Sequence, residues 1–313
     1  MGRIETFLAK SGFAQWSRAA LAGDASGRNY QRLTGPAGDT AILLDAPPES
    51  GEVLGPFLAI GQHLRGLGLS APDILYADID AGLLMTTDLG PDHFAHWLTL
   101  HPTEEAALYA AAVDVLAVVQ AHPAPPGLTA LTPAHAARMI DPLIAYYAPK
   151  VPLAALVEPL ERALARHAPD ATCLALRDYH AENLIWRPDR AGLDQVGLLD
   201  YQDAVLAPAE YDLVSLLRDA RRDVSEPVVA AMITRFARHT GKDIAAVQAA
   251  VACLGVQRNL RILGIFARQG RRDGRTRYLN LMPRVWGHLQ RDLAHPALAE
   301  LAPLIATHIP APR

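Results

Sequence analysis

The chain has two cysteines in 313 residues, Cys173 and Cys253. Two thiols cannot build a disulfide framework, so a reducing compartment is expected, with both side chains in the core. Positive charge is not in surplus either. The 29 Lys and Arg against 33 Asp and Glu give a formal net charge of −4, whereas nucleic-acid binders carry a strong basic excess. No nucleic-acid partner is therefore expected. Long apolar runs are missing as well: the most apolar stretch, 244–256, is too short to cross a bilayer and contains Gln248, and residues 1–10 lack the core of a signal peptide. The expectation is a cytoplasmic protein with no membrane partner. Met1-Gly2 with Thr6 matches an N-myristoylation pattern, but a pattern so short recurs by chance. There is no internal repeat, no long low-complexity segment and no sign of an obligate protein partner.

Two familiar phosphate-binding loops are also absent. Gly66-Leu-Gly-Leu-Ser-Ala71 has the outline of a dinucleotide fingerprint, yet it follows a helical pattern and runs into Pro72, where the fingerprint needs a strand before and a helix after. Gly241-Lys242 lacks the earlier Gly and the following Ser or Thr of a Walker loop. His93 and His96 have no companion ligands for a zinc site and read as surface residues. Half the residues are hydrophobic and a fifth charged, a globular composition, and the length suits two lobes.

What is present is a loop between short apolar runs. Leu176-Arg-Asp-Tyr-His-Ala-Glu-Asn-Leu-Ile-Trp186 is followed by the turn residues 188–192 and by Gly197-Leu-Leu-Asp-Tyr201. The runs 172–176, 184–186 and 195–199 read as strands, which puts Asp178, Asn183 and Asp200 at strand ends. A carboxylate, an amide five positions on and a second carboxylate on the next hairpin are the minimum set for phosphoryl transfer. Asp178 would orient and deprotonate an attacking hydroxyl, while Asn183 and Asp200 would hold Mg2+ on the phosphates of ATP. Turn capping is the plainer reading of Asp178 and Asn183, but it does not account for the set of three. His180 could touch substrate, although a His between two strands is more often a hydrogen-bonded structural residue.

At these residues the chain resembles the aminoglycoside phosphotransferase superfamily of small-molecule kinases. More narrowly it resembles the bacterial cell-wall sugar kinases that phosphorylate the anomeric hydroxyl of N-acetylmuramate and N-acetylglucosamine. That likeness rests on 22–32, Asp45-Ala-Pro-Pro48, 257–268, and Arg277-Tyr-Leu279 with Pro283-Arg-Val-Trp286. It implies an α+β, bilobal, protein-kinase-like fold. A small N-terminal lobe with an antiparallel sheet (1–88) would bind nucleotide, and a larger, mostly helical C-terminal lobe (89–313) would carry catalysis and substrate. It also implies ATP and Mg2+ as cofactors, a small-molecule sugar substrate, and adenine contacts at the hinge Thr86, Thr87, Asp88 and Leu89. Asp212, two residues after Glu210, would brace the catalytic loop. Asp203, by its place near the hairpin, is either a carboxylate close to the metal or substrate or a solvated turn residue. Arg258 and Asn259 would meet the substrate. Other amino sugars or amino alcohols, aminoglycosides included, are alternative substrates, and a catalytically inactive nucleotide-binding module is an alternative of another class.

The elements expected along the chain agree with that layout. Strands are predicted at 28–34, 40–44, 74–76 and 83–87, and a helix at 52–67. Beyond 89, helices are predicted at 106–121 with Thr103 as its cap, and at 133–147, 154–167, 210–220, 227–240, 244–268 and 277–293. Two departures bear on function. No Lys lies between Lys10 and Lys150, so the Lys that clamps ATP phosphates in kinases is missing, and the strand 41–44 ends in Asp45. Arg28 and Arg32, on one strand face after the turn that holds Ser26, are the candidate replacements, unless they form a solvent-facing pair. In addition, Arg258, Arg261, Arg268, Arg271, Arg272, Arg275 and Arg277 crowd one region with Asp273 alone opposing them. A local excess of this kind suits an anionic or neutral substrate better than a polycation, although a solvated helix face accounts for most of it.

Overall fold

The structure, a computed structural model, describes residues 2–21 and 27–312, so the candidate anion ligand Ser26 lies outside the described residues. The chain forms two compact units, one from residues 1–93 and 184–203, the other from 94–183 and 204–313.

The first unit is built on a five-stranded antiparallel sheet. Its elements are α1 (Arg3–Ser11), β1 (Ser17–Ala20), β2 (Asn29–Thr34), β3 (Thr40–Asp45), α2 (Gly55–Gly66), β4 (Ile74–Asp78) and β5 (Leu83–Thr87), with strand order β1-β2-β3-β5-β4. The turn 35–38 closes the β2–β3 hairpin. Gly38 adopts φ 89°, a left-handed value that favours glycine, and donates its N–H to the Gly35 carbonyl at 3.0 Å. Alternation then decides the faces: Leu33, Ala41, Leu43, Leu83 and Met85 pack in one buried cluster with Phe7 and Leu8 of α1. The strands Leu184–Trp186 and Val196–Leu198 pair with each other and belong to this unit. Leu198 donates its N–H to the Ser70 carbonyl (2.8 Å) and Trp186 to that of Asp92 (2.7 Å).

The second unit is mostly helical: α3 (Phe94–Leu100), α4 (Glu105–Gln120), α5 (Pro133–Arg138), α6 (Leu153–His167), α7 (Tyr211–Leu217), α8 (Glu226–Thr240), α9 (Ile244–Ala267), α10 (Met282–Leu293) and α11 (Leu301–His308). A short antiparallel pair, Cys173–Ala175 with Val205–Ala207, leads into the motif loop. Helix α9 is its axis. Asp243 caps it, accepting from the N–H groups of Ala245 (2.8 Å) and Ala246 (3.1 Å). Together with the turn after it, α9 is long and apolar enough to cross a membrane, but 78% of the relevant window is buried within the unit, which makes it a core helix. A buried Arg218–Asp292 ion pair (2.8 Å) lies beside it.

Three expectations change. The helix predicted over 133–147 stops at Arg138 and resumes as a wide turn at Leu143–Tyr147, because Pro142 has no N–H to give and its ring opposes the preceding turn. The helix predicted from 277 opens as a 3₁₀ turn, Thr276–Leu281, and becomes α-helical at Met282, next to Pro283 in the first turn. Thr103 sits inside the 3₁₀ turn Pro102–Glu104 and makes no side-chain cap to α4. Of the two cysteines expected in the core, Cys253 is buried and Cys173 only partly so. Burial pushes both thiols up, Cys253 to about 12, so both are poor nucleophiles.

Candidate active site

In the second unit the motif loop is held at several points. Asp212, at the start of α7 and 1% exposed, accepts the N–H groups of Leu176 (2.6 Å) and Arg177 (3.0 Å). Burial pushes its carboxyl up to about 6, against the two N–H groups that favour the charged form. Arg177 stands at φ 70°, and Asp200, in the first unit, at φ 56°. These are the non-glycine residues in left-handed conformation among the described residues. Such backbone costs about 1–3 kcal/mol at each position and persists only where the surroundings impose it. At Arg177 the imposing groups are visible: its carbonyl accepts from Ser215 Oγ (2.9 Å) and Arg258 Nη1 (3.2 Å), and Arg258 Nη2 donates to Ser215 Oγ (2.7 Å). The Arg258 guanidinium also lies 5.4 Å from the Tyr211 ring centre.

The loop itself turns tightly. Asn183 Nδ2 donates to the Asp178 carbonyl (3.0 Å), and the Asn183 N–H to that of His180 (2.8 Å). With Nδ2 so directed, the amide oxygen is the atom this side chain would give to a hard cation; Asp200 offers carboxylate oxygen, and magnesium takes oxygen ligands. Each of the two side chains thus offers the kind of oxygen the ion takes. Asp200 Oδ1 accepts from Gln202 Nε2 at 2.7 Å.

His180 is 6% exposed, and its Nε2 accepts from Arg221 Nη1 (3.2 Å). Burial, reinforced by Arg221 and Arg258, pushes its pKa well down, so it is a neutral ring. Asp219 fixes the same turn, accepting the Ala181 N–H (3.3 Å) and the Arg221 N–H (2.8 Å). Expected against substrate, His180 and Asn259 are instead enclosed. Asn259 is 1% exposed, and neither of its amide atoms has a hydrogen-bond partner among the described residues. Arg258, also expected there, spends its donors on the loop. Asp203 is exposed.

In the first unit the candidate phosphate clamps are both paired. Arg28, 7% exposed, meets Glu52 at 2.7 Å, and Arg32 meets Asp88 at 2.6 Å and donates to the Gly90 carbonyl at 3.3 Å. The Tyr30 hydroxyl is pushed up by burial and further by Asp200, while Arg28 lowers it, which puts Arg28, Glu52 and Asp200 in one electrostatic neighbourhood. Thr86 is buried in β5, the Thr87 N–H is spent on the Asp73 carbonyl (2.9 Å), and Asp88 accepts the Gly90 N–H (2.9 Å). Leu89 abuts Gly197, where a Cβ would come within 3.0 Å of its Cδ1. The bracing role of Asp212 was expected from the family resemblance. Sequence reasoning missed Glu52, Ser215, Asp219 and Arg221, which carry no motif; the three charged ones lie near helix ends, and Ser215, inside α7, gives no signal.

Comparison with known proteins gives the family and the fold. The chain is 39% identical to the N-acetylmuramate/N-acetylglucosamine kinase of Caulobacter vibrioides, over 97% of this chain and 95% of that one. It is 33% identical to the protein of that name from Pseudomonas aeruginosa, over 91% and 86%. Among solved structures it is similar to the choline kinase LicA of Streptococcus pneumoniae (TM-score 0.66, 14% identity, 96% of this chain and 100% of that one). It is also similar to an ADP-bound aminoglycoside phosphotransferase, APH(2'')-Ib (TM-score 0.61, 12% identity, 96% and 98%). These place the fold as α+β and kinase-like. The model of the phosphotransferase enzyme family matches residues 17–249, and the chain belongs to that family, as a small-molecule phosphotransferase.

Proposed function

We propose that this phosphotransferase moves the terminal phosphoryl group of ATP to the anomeric hydroxyl of N-acetylmuramate and N-acetylglucosamine. The name shared by relatives that span nearly the whole chain supports the sugars. The observation that carries the chemistry is the clasp of Asn183 on the Asp178 carbonyl, which ties together the two ends of the turn that would carry base and metal ligand. Asp178 accepts the proton of the sugar hydroxyl as the new P–O bond forms and the bond to ADP breaks. Asn183 and Asp200 are the residues that would hold magnesium, which when bound would neutralise the phosphate charge. An anomeric hydroxyl is more acidic than its ring neighbours, which favours a sugar 1-phosphate.

The lobe boundary at 88/89 belongs to this proposal: nucleotide on 1–88, catalysis and sugar on 89–313. Arg28 takes the part of the missing Lys. Its pairing with Glu52 in the neighbourhood of Asp200 supports it over Arg32, which is engaged with Asp88 at the hinge. Adenine is expected on the backbone of Asp88 and Leu89, since the Thr87 N–H is spent within the sheet. The products would serve peptidoglycan recycling in the cytoplasm.

The test is to incubate protein, Mg2+ and ATP with a panel of sugars, amino alcohols and aminoglycosides, and to locate phosphate by phosphorus–proton coupling. A 1-phosphate of the two acetylated sugars, with no turnover of their borohydride-reduced alditols, is expected. A 6-phosphate overturns the anomeric assignment, and turnover confined to another substrate class overturns the sugar.

A further inference from the structure

The arginines of the second unit are mostly spent locally. Arg272 pairs with Asp273 (2.7 Å), with Arg268 at 4.0 Å from the same carboxylate; Arg271 lies 5.9 Å from the Tyr147 ring centre and Arg277 5.1 Å from that of Tyr278; Arg275 donates to Gln269 (3.3 Å). Arg258 is tied to the loop. Arg261 is different. It lies three residues after Arg258, on the same face of α9, and is partly exposed. Among the described residues it makes no hydrogen bond or ion pair with a carboxylate, and its electrostatic neighbours are Arg177, Arg258, Tyr211 and Asp178. Burial first, and then those two like charges, push its pKa down. The Arg177, Arg258 and Arg261 guanidinium groups thus share one electrostatic neighbourhood with the proposed base, and Arg261, partly exposed, has donors left for an arriving anion.

N-Acetylmuramate brings one. Its lactyl carboxylate hangs from the ring that bears the anomeric hydroxyl, so a sugar whose hydroxyl is at Asp178 carries the carboxylate into the surroundings of the loop. Magnesium-bound ATP and the base are themselves anionic, which makes a compensating cation on the sugar side necessary for such a substrate. N-Acetylglucosamine has no such group. We infer that Arg261 receives the lactyl carboxylate of N-acetylmuramate and sets the enzyme's preference between the two sugars. A planar guanidinium matches a carboxylate through two parallel hydrogen bonds, which an amide or an ammonium cannot reproduce. The inference rests on the sugar reading above and goes further, since it assigns discrimination to one side chain.

The experiment compares kcat/KM for the two sugars in the wild type, Arg261→Gln and Arg261→Lys, and adds the neutral lactyl amide of N-acetylmuramate as a third substrate. Arg261→Gln is expected to lower the ratio of N-acetylmuramate to N-acetylglucosamine kcat/KM by about 10- to 100-fold, mainly through KM. Arg261→Lys should recover part of that ratio. On the wild type the amide should fall short of the acid by a similar factor, and it needs no variant to fold. An unchanged ratio in Arg261→Gln, or an amide used as well as the acid, overturns the inference while the sugar reading stands. A wild type that phosphorylates neither sugar overturns that reading and the inference with it.

Discussion

Replacing Arg258 by Lys separates bracing from substrate contact. The guanidinium donates to the Arg177 carbonyl at 3.2 Å and to Ser215 Oγ at 2.7 Å, and lies over the Tyr211 ring. Each charge-assisted hydrogen bond is worth about 1.5–3 kcal/mol. A Lys ammonium can keep one of them but not the fork, so one bond and part of the ring contact are lost, roughly 2–4 kcal/mol of unfolding free energy. The strain at Arg177 then loses one of its restraints, and the backbone that presents Asp178 relaxes. The expected result is a midpoint shift in urea unfolding at constant slope, a fall in kcat of about 10-fold or more, and a sugar KM within about 3-fold of wild type. Ser215→Ala alone and combined with Arg258→Lys completes a cycle, in which a coupling above about 1 kcal/mol is expected because both side chains share one carbonyl. Unchanged stability with a raised sugar KM would refute the bracing argument and return Arg258 to the substrate.

Asp178→Asn should lower turnover by about 10²-fold or more and leave magnesium-dependent nucleotide binding in place, whereas Asn183→Ala and Asp200→Ala should weaken that binding; magnesium titrations against each variant distinguish the two. Arg28→Ala should weaken ATP use by roughly 1–3 kcal/mol with little change in adenosine binding, and Arg32→Ala should do less; equal, negligible effects would assign the phosphates to magnesium and backbone amides. His288 is buried against the Asp219 carbonyl, and burial holds its pKa at about 4. A base whose folded pKa is depressed contributes stability above its unfolded pKa near 6.5 and loses it as pH falls toward 4, by about 3 kcal/mol at most. His288→Gln keeps a donor and removes the titration, so its melting temperature should fall less than that of the wild type between pH 6.5 and 4. Parallel pH curves would show that His288 does not titrate with unfolding.

The turn that holds Asp178 and Asn183 was legible because apolar runs on both sides leave these two residues no place but a loop. The sheet was legible from β2 onward for the same reason: Leu33, Ala41, Leu43, Leu83 and Met85 announce one face. Strand β1 was not, since Ser17-Arg-Ala-Ala20 is exposed throughout and has no apolar face to announce it. Left-handed backbone at Arg177 has no signature in a residue that normally avoids it, and its restraints come from groups 38 to 81 positions away. The burial of Asn259 was equally hidden, because a polar residue beside Arg258 in a helix reads as surface until its neighbours are known.

Helix α9 is clamped at two glycines. A Cβ at Gly255 would collide with the Asp292 carboxylate, and one at Gly264 with the backbone of Pro142 and Leu143. Between these two notches the helix cannot slip: a one-residue slide would turn it by about 100° and carry Arg258 off the loop and Arg261 to another face. The notches therefore act as a key in a lock cylinder. Gly264→Ala, though it touches no reacting group, should behave as a catalytic lesion, and the routes by which this enzyme could drift toward new sugars must run through side chains that leave the registration of α9 intact.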